Sequence, residues 1–202
     1  MTARRSIAVS HYAGARTNSM PVLISMLRGV NVGPHNRIKM DALRALYVSL
    51  NLKDPRTYVQ SGNVIFLTKE KSASQLARKI QDAIARKFGF SPHVILRTPE
   101  EFKRAIAANP FAGRQGLNPG KLLVTFLASE PSAEARAELL ALKPNPEELH
   151  LVGRELYIYF PNGAGRSKLQ WSSLDKKLGT TGTARNWNSV TKMLEMADEM
   201  AR

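Results

Sequence analysis

Apolar and polar positions follow two periods along the chain, and the switches between them mark out the elements. Residues 21–27 (Pro-Val-Leu-Ile-Ser-Met-Leu) form a short apolar run with β-branched members, which predicts a buried strand. A loop over residues 28–39 follows, punctuated by Gly29, Gly33 and Pro34. Met40, Leu43, Leu46, Tyr47 and Leu50 then recur at helical spacing, with Asp41 in the first turn, where the helix dipole favours an acid. Residues 57–60 and 63–67 flank Ser61-Gly62 and predict a hairpin. Ser72 with Gln75 forms a capping box for a helix carrying Leu76, Ile80, Ile84 and Phe88 and stopping at Gly89. Residues 93–97 read as a strand. The order is strand, helix, strand, strand, helix, strand, the ferredoxin-like split arrangement.

Thr98-Pro99-Glu100-Glu101 is a strong helix start, with Thr as cap, Pro in the first turn and Glu at the third position. Residues 111–120 read as the boundary loop. The theme then repeats: a strand over 121–127, a helix over 133–142, and strands 149–152 and 155–160 around Gly153-Arg154. Ser167 with Gln170 predicts a further capping box, opening a helix that ends at Gly179. Residues 180–187 read as a hydroxyl-rich loop, and Trp187, Val190, Leu194, Ala197 and Ala201 stripe a last helix. The expectation is an α+β chain of duplicated ferredoxin-like (βαββαβ) units, the second divergent and ending in helix. Residues 20–110 form the first unit with its connecting helix, and residues 120–202 the second. Residues 1–19, with Arg4, Arg5 and Arg16 and no acid, are expected to be a disordered basic tail.

Composition narrows the chemistry. Of 202 residues, 43% are hydrophobic and none is cysteine, so a packed core is available while disulfides, thiolate metal sites and Cys nucleophiles are excluded. No apolar run approaches the ~20 residues of a bilayer-spanning helix, and a cytoplasmic location is expected. The net charge of +14 is segregated. Residues 1–97 hold 16 basic and four acidic side chains, whereas residues 98–202 hold 14 and 12, with a second basic stretch over 165–192. Such an excess directs a field at polyanions or phosphorylated ligands.

Three segments carry candidate chemistry. In the loop 28–39, Arg28, Arg37 and Lys39 supply charge and Asn31 and Asn36 neutral donors. A glycine-bearing loop between a strand and a helix start can also aim backbone N–H groups at an anion. The 58–63 turn offers Gln60, Ser61 and Asn63, and the segment before the last helix offers Arg185 and Asn186. Each also reads as plain turn or cap chemistry. Neither standard phosphate loop is present: Gly29 and Gly33 miss the dinucleotide spacing, and residues 116–121 fall one short of a P-loop. The four histidines are isolated, so no metal site or cofactor is expected, and no catalytic pair stands out beyond Asp41 as the nearest candidate base. Tyr157 and Tyr159 alternate with apolar residues and could expose two rings for base stacking or lie beneath a helix.

Arg28-Gly29-Val30-Asn31-Val32-Gly33, residues 57–66 (Thr-Tyr-Val-Gln-Ser-Gly-Asn-Val-Ile-Phe) and Arg185-Asn186-Trp187-Asn188-Ser189-Val190 together resemble the bacterial domain-of-unknown-function family numbered 1697. The resemblance spans about residues 20–197. It implies a duplicated ferredoxin-like fold and no established activity. Pro34-His35 stands where members commonly continue with glycine, and the segment before Met20 lies outside the family pattern. The leading expectation is a binder of an anionic ligand, nucleic acid foremost. The alternative is an enzyme acting on a small phosphorylated or carboxylated metabolite, with the three segments converging on one cleft between the units.

Overall fold

A computed structural model describes residues 20–142, 144–169 and 171–202, and the basic segment 1–19 lies outside the described residues. Eight strands and six α-helices follow in the order β1 (Val22–Leu27), α1 (Met40–Ser49), β2 (Lys53–Tyr58), β3 (Asn63–Leu67), α2 (Ala73–Phe88), β4 (Val94–Arg97), α3 (Pro99–Ala107), β5 (Leu122–Leu127), α4 (Ala133–Ala141), β6 (Glu148–Val152), β7 (Glu155–Tyr159), α5 (Trp171–Leu178), β8 (Gly182–Asn186) and α6 (Trp187–Met200). Two antiparallel four-stranded sheets result, in the orders β2-β3-β1-β4 and β6-β7-β5-β8. The chain is therefore mixed α+β.

The strand period of two divides the apolar residues between two layers of core. Val22, Ile24 and Met26 of β1 join Ile65 and Ile95 on one face, while Leu23, Leu27, Val64 and Phe66 face α1 and α2. The second sheet splits alike: Leu122, Val124, Phe126, Tyr157 and Tyr159 turn to the first sheet's inner residues, and Leu127, Leu156 and Ile158 meet α4 and α5. Phe102 and Ala105 of α3 and Val190, Met193 and Ala197 of α6 complete that shared core. Phe102 stacks on Phe126 with ring centroids 4.9 Å apart. Fully burying such a side chain is worth about 1.5–3 kcal/mol.

Local chemistry explains most boundaries. Ser72 accepts from the Gln75 amide at the start of α2, and Thr98 and Glu101 close a reciprocal capping box on α3. Gly89 ends α2 in the left-handed conformation. β2 begins four residues before the expected hairpin arm, with Pro55 and a register shift between Lys53 and Arg56. A polar, proline-bearing strand is tolerated there because β2 is an edge.

Two sequence expectations need correction. Residues 182–186 are not loop: they pair antiparallel with β5 from Leu127↔Gly182 to Leu123↔Asn186. The second half thus has the same element order as the first, and it does not trade its closing strand for a helix. The Ser167 hydroxyl accepts from the Leu169 amide at 3.0 Å and α5 starts at Trp171, so Ser167 does not cap that helix; its expected partner Gln170 lies outside the described residues.

Candidate functional site

The 28–39 loop is held by Asn31. Its backbone sits in the left-handed region (φ +57°), which asparagine tolerates better than most residues. From there Nδ2 donates to the carbonyls of Ile38 (2.9 Å) and Gln60 (2.8 Å), and Oδ1 accepts from the Ile38 amide (2.9 Å). The amides of Arg28 and Asn31 donate to the carbonyls of His93 and Asn36. Three of the loop's amides, those of Arg28, Asn31 and Ile38, are therefore taken up by the chain itself. Asn36 donates weakly to Gly29 at 3.4 Å. Arg37, Lys39 and Gln60 are exposed, and among the described residues neither cation is in an ion pair. α1 opens at Lys39 with no side-chain cap, leaving its first-turn amides beside those two charges.

Arg185 is a joint between the halves. It is 7% exposed, and its five N–H donors are all used. Nε donates to Asn63 Oδ1, Nη1 to Thr183 Oγ1 (2.7 Å) and the Ala184 carbonyl (2.8 Å), and Nη2 to the carbonyls of Leu27 (2.7 Å) and Ser61 (3.1 Å). No carboxylate is among its partners, and burial pushes the guanidinium down to about 10. Asn63, itself buried, donates to the Tyr58 carbonyl and the Ser61 hydroxyl. Arg28 pairs with Asp175 of α5.

The three expected segments do converge. Arg28, Asn31, Gln60, Ser61, Asn63 and Arg185 gather where β1 ends, and the side chains of Asn31, Asn63 and Arg185 are spent within the chain. Asn36, Arg37 and Lys39 lie on the outer side of the loop. Asn186 caps α6 through the Asn188 amide (3.0 Å) and donates to the Gly120 carbonyl (2.8 Å). Tyr157 and Tyr159 do not present rings for stacking: both belong to the shared core, and the Tyr157 hydroxyl donates to Ala105 at 2.6 Å.

Two charged regions escaped the motif search. The first is the outer face of α2, where Arg78, Lys79, Arg86 and Lys87 are exposed, with Lys71 just before the helix and Asp82 the lone acid among them. None of these cations is in an ion pair among the described residues. The signal was legible as two basic pairs, Arg78-Lys79 and Arg86-Lys87, between the apolar positions of the helix. The second is Arg97, 3% exposed at the end of β4, which donates to the carbonyls of Leu127 (2.6 Å) and Leu96 (3.1 Å). Glu155 lies 3.5 Å from its Nε, and Arg154 beside it pairs with Glu101 at 2.5 Å. A buried arginine closing a short strand leaves no trace in hydrophobic patterning.

Among the described residues, no group of three or more His, Cys, Asp and Glu is placed to hold a metal, and no helix is long and apolar enough to cross a membrane. The conserved bacterial protein SP0830 from Streptococcus pneumoniae has a similar fold, with a TM-score of 0.67 and 21% identity over 89% of this chain and 99% of that one. No curated protein matches the chain. Residues 20–157 match the family described as "Protein of unknown function (DUF1697)", and the chain belongs to that family.

Proposed function

We propose that the protein is a cytoplasmic binder of nucleic acid that grips the phosphate backbone across the outer face of α2 and the neighbouring 28–39 loop. One observation carries this: along α2, four exposed cations face one acid, and among the described residues none is neutralised by an ion pair. The helical cations run from Arg78 to Lys87, so the stripe extends for about 14 Å. Exposed Arg37 and Lys39 add to the same half. Recognition through phosphates, without base stacking, fits two sheets whose inner faces are committed to a shared core.

The two halves are best understood as duplicated ferredoxin-like units, residues 20–110 and 120–202. The identical element order and matching strand orders support this. Binding of a labelled duplex oligonucleotide, followed by anisotropy at about 50 and 200 mM salt, tests the function. Expected is an affinity that falls steeply with salt and is lost on combining Lys79→Gln, Arg86→Gln and Lys87→Gln. Binding without salt dependence, or unchanged in that triple variant, overturns it.

A further inference from the structure

Where α2, β4 and the β6–β7 turn meet, the two halves enclose a cleft of about 370 Å3. Arg78, Arg97 and Arg154 line it, together with Ser74 and Gln81, and no acidic residue does. The first turn of α2 opens onto it and adds the partial positive charge of a helix N-terminus.

Arg97 and Arg154 have the carboxylates of Glu155 and Glu101 beside them, yet all three arginines keep N–H donors in reserve. Arg78 is exposed and, among the described residues, in no ion pair. Arg154 uses Nη2 on Glu101, which leaves Nη1 and Nε to donate elsewhere. Arg97 is buried with an Nε that has no hydrogen-bond partner, since Glu155 stands 3.5 Å away. Burial and the Arg154 charge both work against its cation. The comparison with Arg185 is direct. That arginine holds the corresponding place in the other half, makes five good hydrogen bonds and fronts none of the main clefts. The donors of Arg185 are all spent within the chain, while Arg97 keeps an unused Nε beside an open recess.

We propose that this cleft binds a small molecule through a phosphate group. Planar guanidinium forks bind phosphate oxygens in pairs, and a phosphate offers enough oxygens to engage more than one fork. Arg78 from α2 and Arg154 from the β6–β7 turn supply the forks, Ser74 and Gln81 supply neutral hydrogen bonds, and the buried Arg97 charge adds a fixed field. The volume lies at the lower end of the range for small-molecule sites. The phosphate opposes the mutual repulsion of Arg97 and Arg154, so binding and folding reinforce one another.

The test uses the full chain with inorganic pyrophosphate as the probe, in thermal unfolding and calorimetry, against sodium chloride matched in ionic strength. Expected is a saturable rise in Tm with pyrophosphate alone. The double variant Arg78→Gln with Arg154→Gln should weaken the Kd about tenfold or more. The triple variant at Lys79, Arg86 and Lys87 should keep pyrophosphate binding, so failure of this site and failure of the nucleic-acid face are read separately. No saturable shift, or an unchanged Kd in the double variant, overturns the site.

Discussion

Arg97 and Arg185 hold the same place in the two halves, and each fastens the other half's first strand. Each directly precedes the residue that caps the following helix, Thr98 before α3 and Asn186 before α6. Arg97 donates through Nη2 to the Leu127 carbonyl at the end of β5, and Arg185 through Nη2 to the Leu27 carbonyl at the end of β1. Their Nε atoms face the first residues of β7 and β3, Glu155 and Asn63. The two latches cross the same interface in opposite directions.

Equal placement with unequal satisfaction predicts unequal cost. Arg185→Met orphans five acceptors, several of them buried, and should destabilise by about 3–5 kcal/mol, at about 1–3 kcal/mol for each buried group left unmet. Arg97→Met also relieves the repulsion with Arg154 and should cost less, about 1–2 kcal/mol. Urea unfolding with an unchanged m-value measures both. Equal losses would contradict the difference in hydrogen bonding.

Gly62 is required twice over. Its φ of +73° favours glycine, and a Cβ there would stand 2.9 Å from Leu27 Cβ, in the turn whose carbonyl accepts from the Leu27 amide. Gly33, at φ +68°, would meet nothing within 4 Å. Gly33→Ala should therefore cost only the backbone strain, about 1 kcal/mol, and Gly62→Ala at least about 1–3 kcal/mol more. The Tm values of the two variants decide the matter; near-identical shifts would mean the turn adjusts freely.

Glu155 gives the fold a pH dependence. Burial raises its carboxyl pKa, outweighing the downward pull of Arg97 and Arg154. A raised pKa means the folded chain holds this proton more tightly than the unfolded one. That contribution is complete below the ordinary carboxylate range and is lost as pH climbs through the raised value. Glu155→Gln keeps an oxygen toward Arg97, as Asn63 does toward Arg185, and cannot ionise. Its stability relative to the natural chain should improve between about pH 4 and pH 7. Urea midpoints across that interval check the sign, and a relative stability that falls with pH would reverse it.

These details mark where sequence reasoning works and where it stops. Caps are local, so Ser72 with Gln75 and Thr98 with Glu101 were legible from spacing alone. β8 was not, because Gly182-Thr183-Ala184-Arg185-Asn186 has the residues of a loop. Thr183 and Arg185 are buried by tertiary contact, and Gly182 packs so closely that a Cβ would fall 2.7 Å from Thr125. The convergence of the Arg28, Asn63 and Arg185 segments could be anticipated from their shared mix of Gly, Asn and Arg. That Asn63 and Arg185 would satisfy one another could not, since it depends on a partner 122 positions away.

The salt dependence of nucleic-acid binding turns the α2 face into arithmetic. Each phosphate neutralised on duplex DNA contributes about −0.9 to the slope of log K against log salt. If Lys79, Arg86 and Lys87 each hold one phosphate, replacing all three with glutamine flattens the slope by about 2.7. Replacing Arg37 and Lys39 of the loop should flatten it by about 1.8. The two sets touch different phosphates and share no side-chain partner, so their effects on the slope should add. A triple variant that loses affinity at every salt concentration with its slope intact would place the lost contacts on bases rather than phosphates. That outcome would refute a backbone-reading face on α2.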